Sequence, residues 1–187
     1  GHVYVSDTLN DRIQVFNQQG QWLQTIGAGL LNNPRGLAFS LKGELYVAEG
    51  GNNRISVFNA QGQYLRSFGE LGSESGQFNV PRALVFDALG LLYVSEGDNH
   101  RIQVFNTQDQ WLRKWGSKGF SNEYLWTPLG LLIDSKTNTL YVADTGNNRI
   151  QHYDLQGDYL GAWQSQGSDL GKFNGPNVSV SPHGEIY

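Results

Sequence analysis

Apolar residues in this chain come in short runs, about five residues long, with Gly, Asn, Asp, Ser or Pro clustered between them. The stretch from Pro34 to Gly69 has the clearest punctuation: PRGLAF, the turn SLKGE, LYVAE (Leu45 to Glu49), the loop GGNN, RISVF (Arg54 to Phe58), the turn NAQG and QYLRSFG (Gln63 to Gly69). Runs of this length, rich in β-branched and aromatic residues and about ten residues apart, predict four antiparallel strands, a to d, joined as consecutive hairpins. A helix needs ten or more residues of 3.6 periodicity, and no such stretch is visible. Strands a and b read as nearly continuous apolar runs (LAF, LYVA, ALVF, LLYV, LGLLI), so both faces of each sheet are expected to be covered.

The pattern repeats. YVSDTLNDRIQVF surrounds Arg12, YVAEGGNNRISVF Arg54, YVSEGDNHRIQVF Arg101 and YVADTGNNRIQHY Arg149, at intervals of 42, 47 and 48 residues. Self-similarity at that period marks a repeat architecture in which each copy contacts mainly its neighbours. Four-stranded sheets stacked face to face around an axis cover both faces, and the expected fold class is therefore all-β, a β-propeller of four-stranded antiparallel blades. The predicted boundaries are strands b to d of one blade at 2–27, blades at 34–69, 81–116 and 128–164, and the start of another at 176–187. An apolar residue stands three before each leading proline (Leu31/Pro34, Phe78/Pro81, Leu125/Pro128, Phe173/Pro176). The last residues, GEIY, match the GELY of Gly43 to Tyr46, so an incomplete, open arc of about four blades cut from a longer protein is expected, with a closed four-bladed ring as the alternative.

The phrase YVAD, small residue, Gly, Asn, x, Arg-Ile-x-Val-Phe, followed by Gly-x-Phe-Asn-x-Pro, resembles the NHL repeat. The resemblance covers the whole chain and implies a piece of a six-bladed propeller. It also implies three kinds of activity to weigh: binding of partners on loops, zinc-dependent lyase chemistry with histidines from separate blades, and RNA binding through a basic upper surface.

Composition narrows these. The chain is 39% apolar, 12% aromatic and 16% charged, with 24 glycines, which suits a packed core with many tight turns. A net charge of -4 offers no general attraction to phosphate backbones and argues against nucleic acid as a partner. Zero cysteine removes disulfides and thiolate chemistry. No apolar run is long enough to span a membrane. The abundance of Gln and Asn leans the reading toward a secreted or periplasmic site.

Asp7, Glu49, Glu96 and Asp144 end each strand b, five residues before Arg12, Arg54, Arg101 and Arg149. A four-residue loop brings the two ends together, so a charge-assisted carboxylate to guanidinium bond is expected as a structural clamp in every repeat. The alternative is a ring of carboxylates around a calcium ion, for which the arginines compete. Asn10, Asn52, Asn99 and Asn147, two before each arginine, read as positive-φ turn residues. The histidines (His2, His100, His152, His183) fall at unrelated repeat positions, so no shared zinc site and no cofactor are expected from them.

Function is expected where the refrain fails. Trp22, Trp111, Trp115 and Trp163 are in register and are expected between blades, but Trp126 replaces the loop asparagine of the other copies (Asn32, Asn79, Asn174). With Phe120 and Tyr124 it forms an aromatic cluster in GFSNEYLW, suited to stacking on a sugar or anchoring a peptide; the alternative is that it folds back over a blade edge. Arg35 and Arg82 follow two leading prolines where Leu129 and Asn177 stand in other copies, and strand a lines the axis, so they can face an anionic ligand. The expectation leans to a non-enzymatic propeller binding a protein, peptide or glycan on its loop face. The alternative is a metal-dependent lyase or lactone hydrolase whose ligands lie partly elsewhere.

Overall fold

A computed structural model describes residues 1–164 and 172–178. Fifteen strands follow in chain order: β1 (Val3–Asp7), β2 (Arg12–Phe16), β3 (Trp22–Ile26), β4 (Pro34–Phe39), β5 (Leu45–Glu49), β6 (Arg54–Phe58), β7 (Tyr64–Phe68), β8 (Pro81–Phe86), β9 (Leu92–Glu96), β10 (Arg101–Phe105), β11 (Trp111–Trp115), β12 (Pro128–Asp134), β13 (Thr139–Asp144), β14 (Arg149–Asp154) and β15 (Tyr159–Gln164). Within each sheet every strand pairs antiparallel with its sequence neighbour, giving, among the described residues, one three-stranded and three four-stranded sheets. Together they form an open β-propeller arc. Most of the expected further blade at 176–187, His183 included, lies outside the described residues.

The near-continuous apolar runs have a direct cause. Along β5, Leu45 and Val47 pack with Ile13, Val15 and Ile26 of the first sheet, while Tyr46 and Ala48 pack with Leu84, Leu92 and Val94 of the third. Both faces of the strand are thus covered, as an inner sheet position requires. β4 lies against β8 and β8 against β12, so the strands a are adjacent around the axis. Gly36 permits this approach: a Cβ there would fall 2.8 Å from Ala83 Cα.

Every sheet with strands c and d breaks register at the same place, between Val15/Phe16, Val57/Phe58, Val104/Phe105 and His152/Tyr153. A bulge there increases strand twist, which a wedge-shaped blade needs. The c–d turns place Gly20, Gly62 and Gly157 at φ 76, 80 and 101, and Asp109 takes the same slot at φ 61. Asp109 gains a contact from this position. Its carboxylate accepts Arg66 Nε (2.6 Å) and Tyr46 Oη (2.7 Å) from the preceding blade, and Arg66 also grips Glu44. The neighbouring blade pair uses Tyr93 and Arg113, both donating to Leu155 O. Burial, reinforced by Asp87, pushes the Tyr93 phenol up to about 12.

The expectation that all four in-register tryptophans pack between blades is corrected. Trp115 does, lying between Tyr93 and Tyr153. Trp22 and Trp111 are exposed, and Trp163 stacks on Tyr141 and His152 on the face of its sheet away from the third blade. Strand d is the outer strand, where the wedge between blades is widest and few atoms reach across.

Candidate binding face

The b–c loops and the d–a connections meet on one face of the arc, and each blade organises them around its strand b carboxylate. Glu96 is fully buried and accepts four hydrogen bonds: from Asn79 N (2.9 Å), Asn99 Nδ2 (2.6 Å), Arg101 Nε (2.5 Å) and Gln103 Nε2 (2.9 Å). Glu49 repeats this with Asn32 N, Asn52, Arg54 and Ser56, and Asp144 with Trp126 N, Asn147, Arg149 and Gln151. In the first blade the Asp7–Arg12 pair (2.8 Å) is partly open to solvent, and its hydrogen bond from Arg12 holds the Asp7 carboxyl below the usual range.

The arginines reach further than the carboxylate. Arg101 donates to the carbonyls of Ser73, Glu74 and Gln77, and Arg149 to those of Phe120, Ser121 and Tyr124. Arg54 reaches Leu30 O in the same way. Arg54, Arg101 and Arg149 therefore each fasten the connection that arrives from the preceding blade. The loop bearing Phe120 and Tyr124 is held by three guanidinium hydrogen bonds from beneath.

The assignment of positive φ to Asn10, Asn52, Asn99 and Asn147 is corrected. Their amides donate to the carboxylate, and the left-handed residue is the next one: Asp11 (φ 53), Asn53 (52), His100 (55) and Asn148 (53). Each of these in turn accepts a backbone N–H from the next blade, namely Asn33, Val80, Thr127 and Gly175. His100 does so through Nδ1 at 3.1 Å, which requires an unprotonated Nδ1. Burial, then the Lys118 ammonium, lowers its pKa below the ordinary value.

The three aromatics of GFSNEYLW do not form one cluster. Phe120, 73% exposed, meets Trp126 edge to face at 4.9 Å between centroids, and Lys118 Nζ lies 5.4 Å from the Trp126 ring. Tyr124 instead turns over Gly119 and lines a cleft of about 340 Å³ between the third and fourth blades, with Trp115, Tyr153 and Tyr159. Trp126 is half-buried over its own b–c loop: a Cβ on Gly146 would lie 2.8 Å from its Cγ. Lys118 is not singled out by the sequence, because its ring contact depends on how the loop folds.

Arg35 and Arg82 line an open axial cavity of about 390 Å³ with Leu129, Gly130, Asn177 and Val178. Among the described residues, no three His, Asp or Glu side chains are grouped to hold a metal ion. His100 is occupied with Thr127 N, and the His152 ring packs against both Tyr141 and Trp163, which also touch each other. Neither of these two histidines is therefore placed to share a metal ion with other side chains of the described residues.

The NHL repeat family matches residues 31–58, 78–105 and 125–153. No curated protein sequence matches the chain. Among solved structures, a streptogramin B lyase shares the fold with a TM-score of 0.70 and 13% identity, over 100% of this chain and 57% of that one. Virginiamycin B lyase from Staphylococcus aureus gives 0.66 and 16% over 86% and 51%, and Kuenenia stuttgartiensis hydrazine synthase 0.70 and 17% over 99% and 51%. The chain spans a little over half the length of these structures, and at such identities the likeness is one of fold.

Proposed function

Because this chain is built from NHL repeats on a β-propeller scaffold, we propose that it is a non-enzymatic binding module that recognises a protein or peptide on its loop face. The observation that carries this reading is the Phe120–Trp126–Lys118 group: a largely exposed phenyl ring standing against a tryptophan on a loop fastened by Arg149. Rigid aromatic anchors of this kind supply large contact area with little conformational entropy to lose on binding. A peptide side chain is favoured over a sugar ring because Lys118 already lies over the Trp126 ring and the Gly146 backbone lies close beneath its Cγ. Among the described residues, those lining the axial cavity are two arginines, an asparagine and small or aliphatic side chains, a lining suited to holding a ligand.

The test is selection of peptides against the purified chain, followed by titration of Trp126→Asn, which installs the residue found at this position in the other copies. Loss of a central aromatic anchor costs about 2 kcal/mol, or roughly thirtyfold in affinity. Selected peptides that bind the variant and the parent alike would refute the site.

A further inference from the structure

Of the eight arginines, Arg35 and Arg82 stand apart in how they are used. Arg12, Arg54, Arg101 and Arg149 each pair with a strand b carboxylate, Arg66 with Glu44 and Asp109, and Arg113 donates to Leu155 O. Among the described residues neither Arg35 nor Arg82 has an ion-pair partner within 4 Å, and the Nε of each is buried without a hydrogen-bond partner. The two guanidinium groups act on each other unfavourably; burial first, and Arg82 second, lower the pKa of Arg35, with Asp98 opposing. A buried donor left unpaired is costly, and two like charges facing one cavity add to that cost.

A second observation is independent of charge. The residue after the strand b carboxylate is Gly50 in the second blade and Gly97 in the third, but Thr8 in the first and Thr145 in the fourth. A Cβ on Gly50 would fall 2.6 Å from Arg35 Nε, and one on Gly97 2.9 Å from Arg82 Nε. Each arginine thus lies across a glycine of its own blade. In the fourth blade, where strand a carries Leu129, the side chain returns as Thr145, which donates to Pro176 O. Arginine and glycine occur together in two blades, and leucine and threonine in the third that can be compared.

The rest of the cavity wall is apolar, from Leu37, Leu84, Leu129, Leu131 and Val178, with the amide of Asn177 at one side. We propose that Arg35 and Arg82, laid over Gly50 and Gly97, form an axial subsite for a carboxylate carried on a short aliphatic body. The carboxylate would take the free N–H donors of both guanidinium groups and the aliphatic body the leucine wall. This deepens the loop-face reading, since such a group arrives either as a free small acid or as a glutamate side chain of the bound peptide.

The experiment uses hexanoate, its neutral isostere hexanamide, and inorganic phosphate, each titrated into the purified chain by calorimetry. Hexanoate is expected to bind at least tenfold more tightly than hexanamide or phosphate. Arg35→Ala and Arg82→Ala are each expected to weaken hexanoate by about tenfold or more, the usual effect of losing a charge-assisted bond. Gly50→Ala, which leaves net charge unchanged, is expected to weaken it by displacing Arg35. Equal binding of hexanoate and hexanamide, tighter binding of phosphate, or indifference to both arginine variants would overturn the proposal. If hexanoate fails while selected peptides still lose affinity in Trp126→Asn, the axial subsite is wrong and the loop-face reading stands. Competition of hexanoate with peptides that contain glutamate, and not with their glutamine counterparts, supports the subsite and assigns it to the peptide. Arginine-dependent hexanoate binding without competition supports it and assigns it to a free acid.

Discussion

Replacing Glu96 by Gln tests the physical account of the repeat most severely. The substitution is nearly isosteric, so any effect comes from charge and hydrogen bonding. Its amide oxygen can keep Asn79 N and Asn99 Nδ2, which lie on the Oε2 side. The new NH2 group then faces Arg101 Nε and Gln103 Nε2, which lie on the Oε1 side, donor against donor. The Arg101 side chain is only 6% exposed and would keep a buried charge with no carboxylate. Breaking a buried pair by removing one partner costs about 3–5 kcal/mol. The carbonyls of Ser73, Glu74 and Gln77 still hold the guanidinium, so the lower end applies. For a chain of this size about 3 kcal/mol lowers the midpoint of thermal unfolding by roughly 6–12 °C. Asp7→Asn is the internal control, because the Asp7–Arg12 side chains are 25% and 38% exposed and its shift should be a small fraction of the other. Circular dichroism melts of the two variants in one buffer decide the matter. Equal shifts, or a Glu96→Gln melt indistinguishable from the parent, would show that the buried network does not hold the blade.

His100→Asn should remove an acid sensitivity: the folded-state pKa lies below the ordinary 6.5, so its contribution is present above that value and is lost as pH falls through the folded pKa. Melting the parent and the variant across mildly acidic pH checks this, and parallel curves would refute it. Asp109→Gly restores the residue of the other c–d turns but strips Arg66 Nε and Tyr46 Oη of their shared acceptor, so a loss of about 1–3 kcal/mol in urea unfolding is expected despite the easier φ.

How much of this was legible in advance varies with distance along the chain. Glu49 and Arg54 are five residues apart across one tight loop, so their approach follows from strand closure alone. That Arg54 also reaches Leu30 O does not, because that carbonyl lies 24 residues upstream, in the connection from the preceding blade. Asn52 and Asn53 illustrate a finer limit. Both are asparagines in a turn, and propensity alone does not decide which adopts positive φ when one is needed as an amide donor and the other as an acceptor for Val80 N. The separation of Tyr124 from Phe120 and Trp126 was equally hidden, since it follows from the ring of Tyr124 settling over Gly119 at the mouth of an interblade cleft.

The amino-acid sequence by itself determined the repeat, the strand order within each blade and the covering of both sheet faces. These rest on periodicity and on hairpins that close within about ten residues. Tertiary structure alone decided which side chains share space across blades. Examples are Trp115 between Tyr93 and Tyr153, Asp109 under Arg66, and Arg35 and Arg82 around one cavity. Those contacts join residues tens of positions apart, and they exist only once the wedge of each blade fixes its neighbour. The axial arginines show the division most clearly. Their departure from the repeat is visible in the letters, but the glycine beneath each one acquires its meaning only when strands a and b of its blade pair and lay the arginine across it.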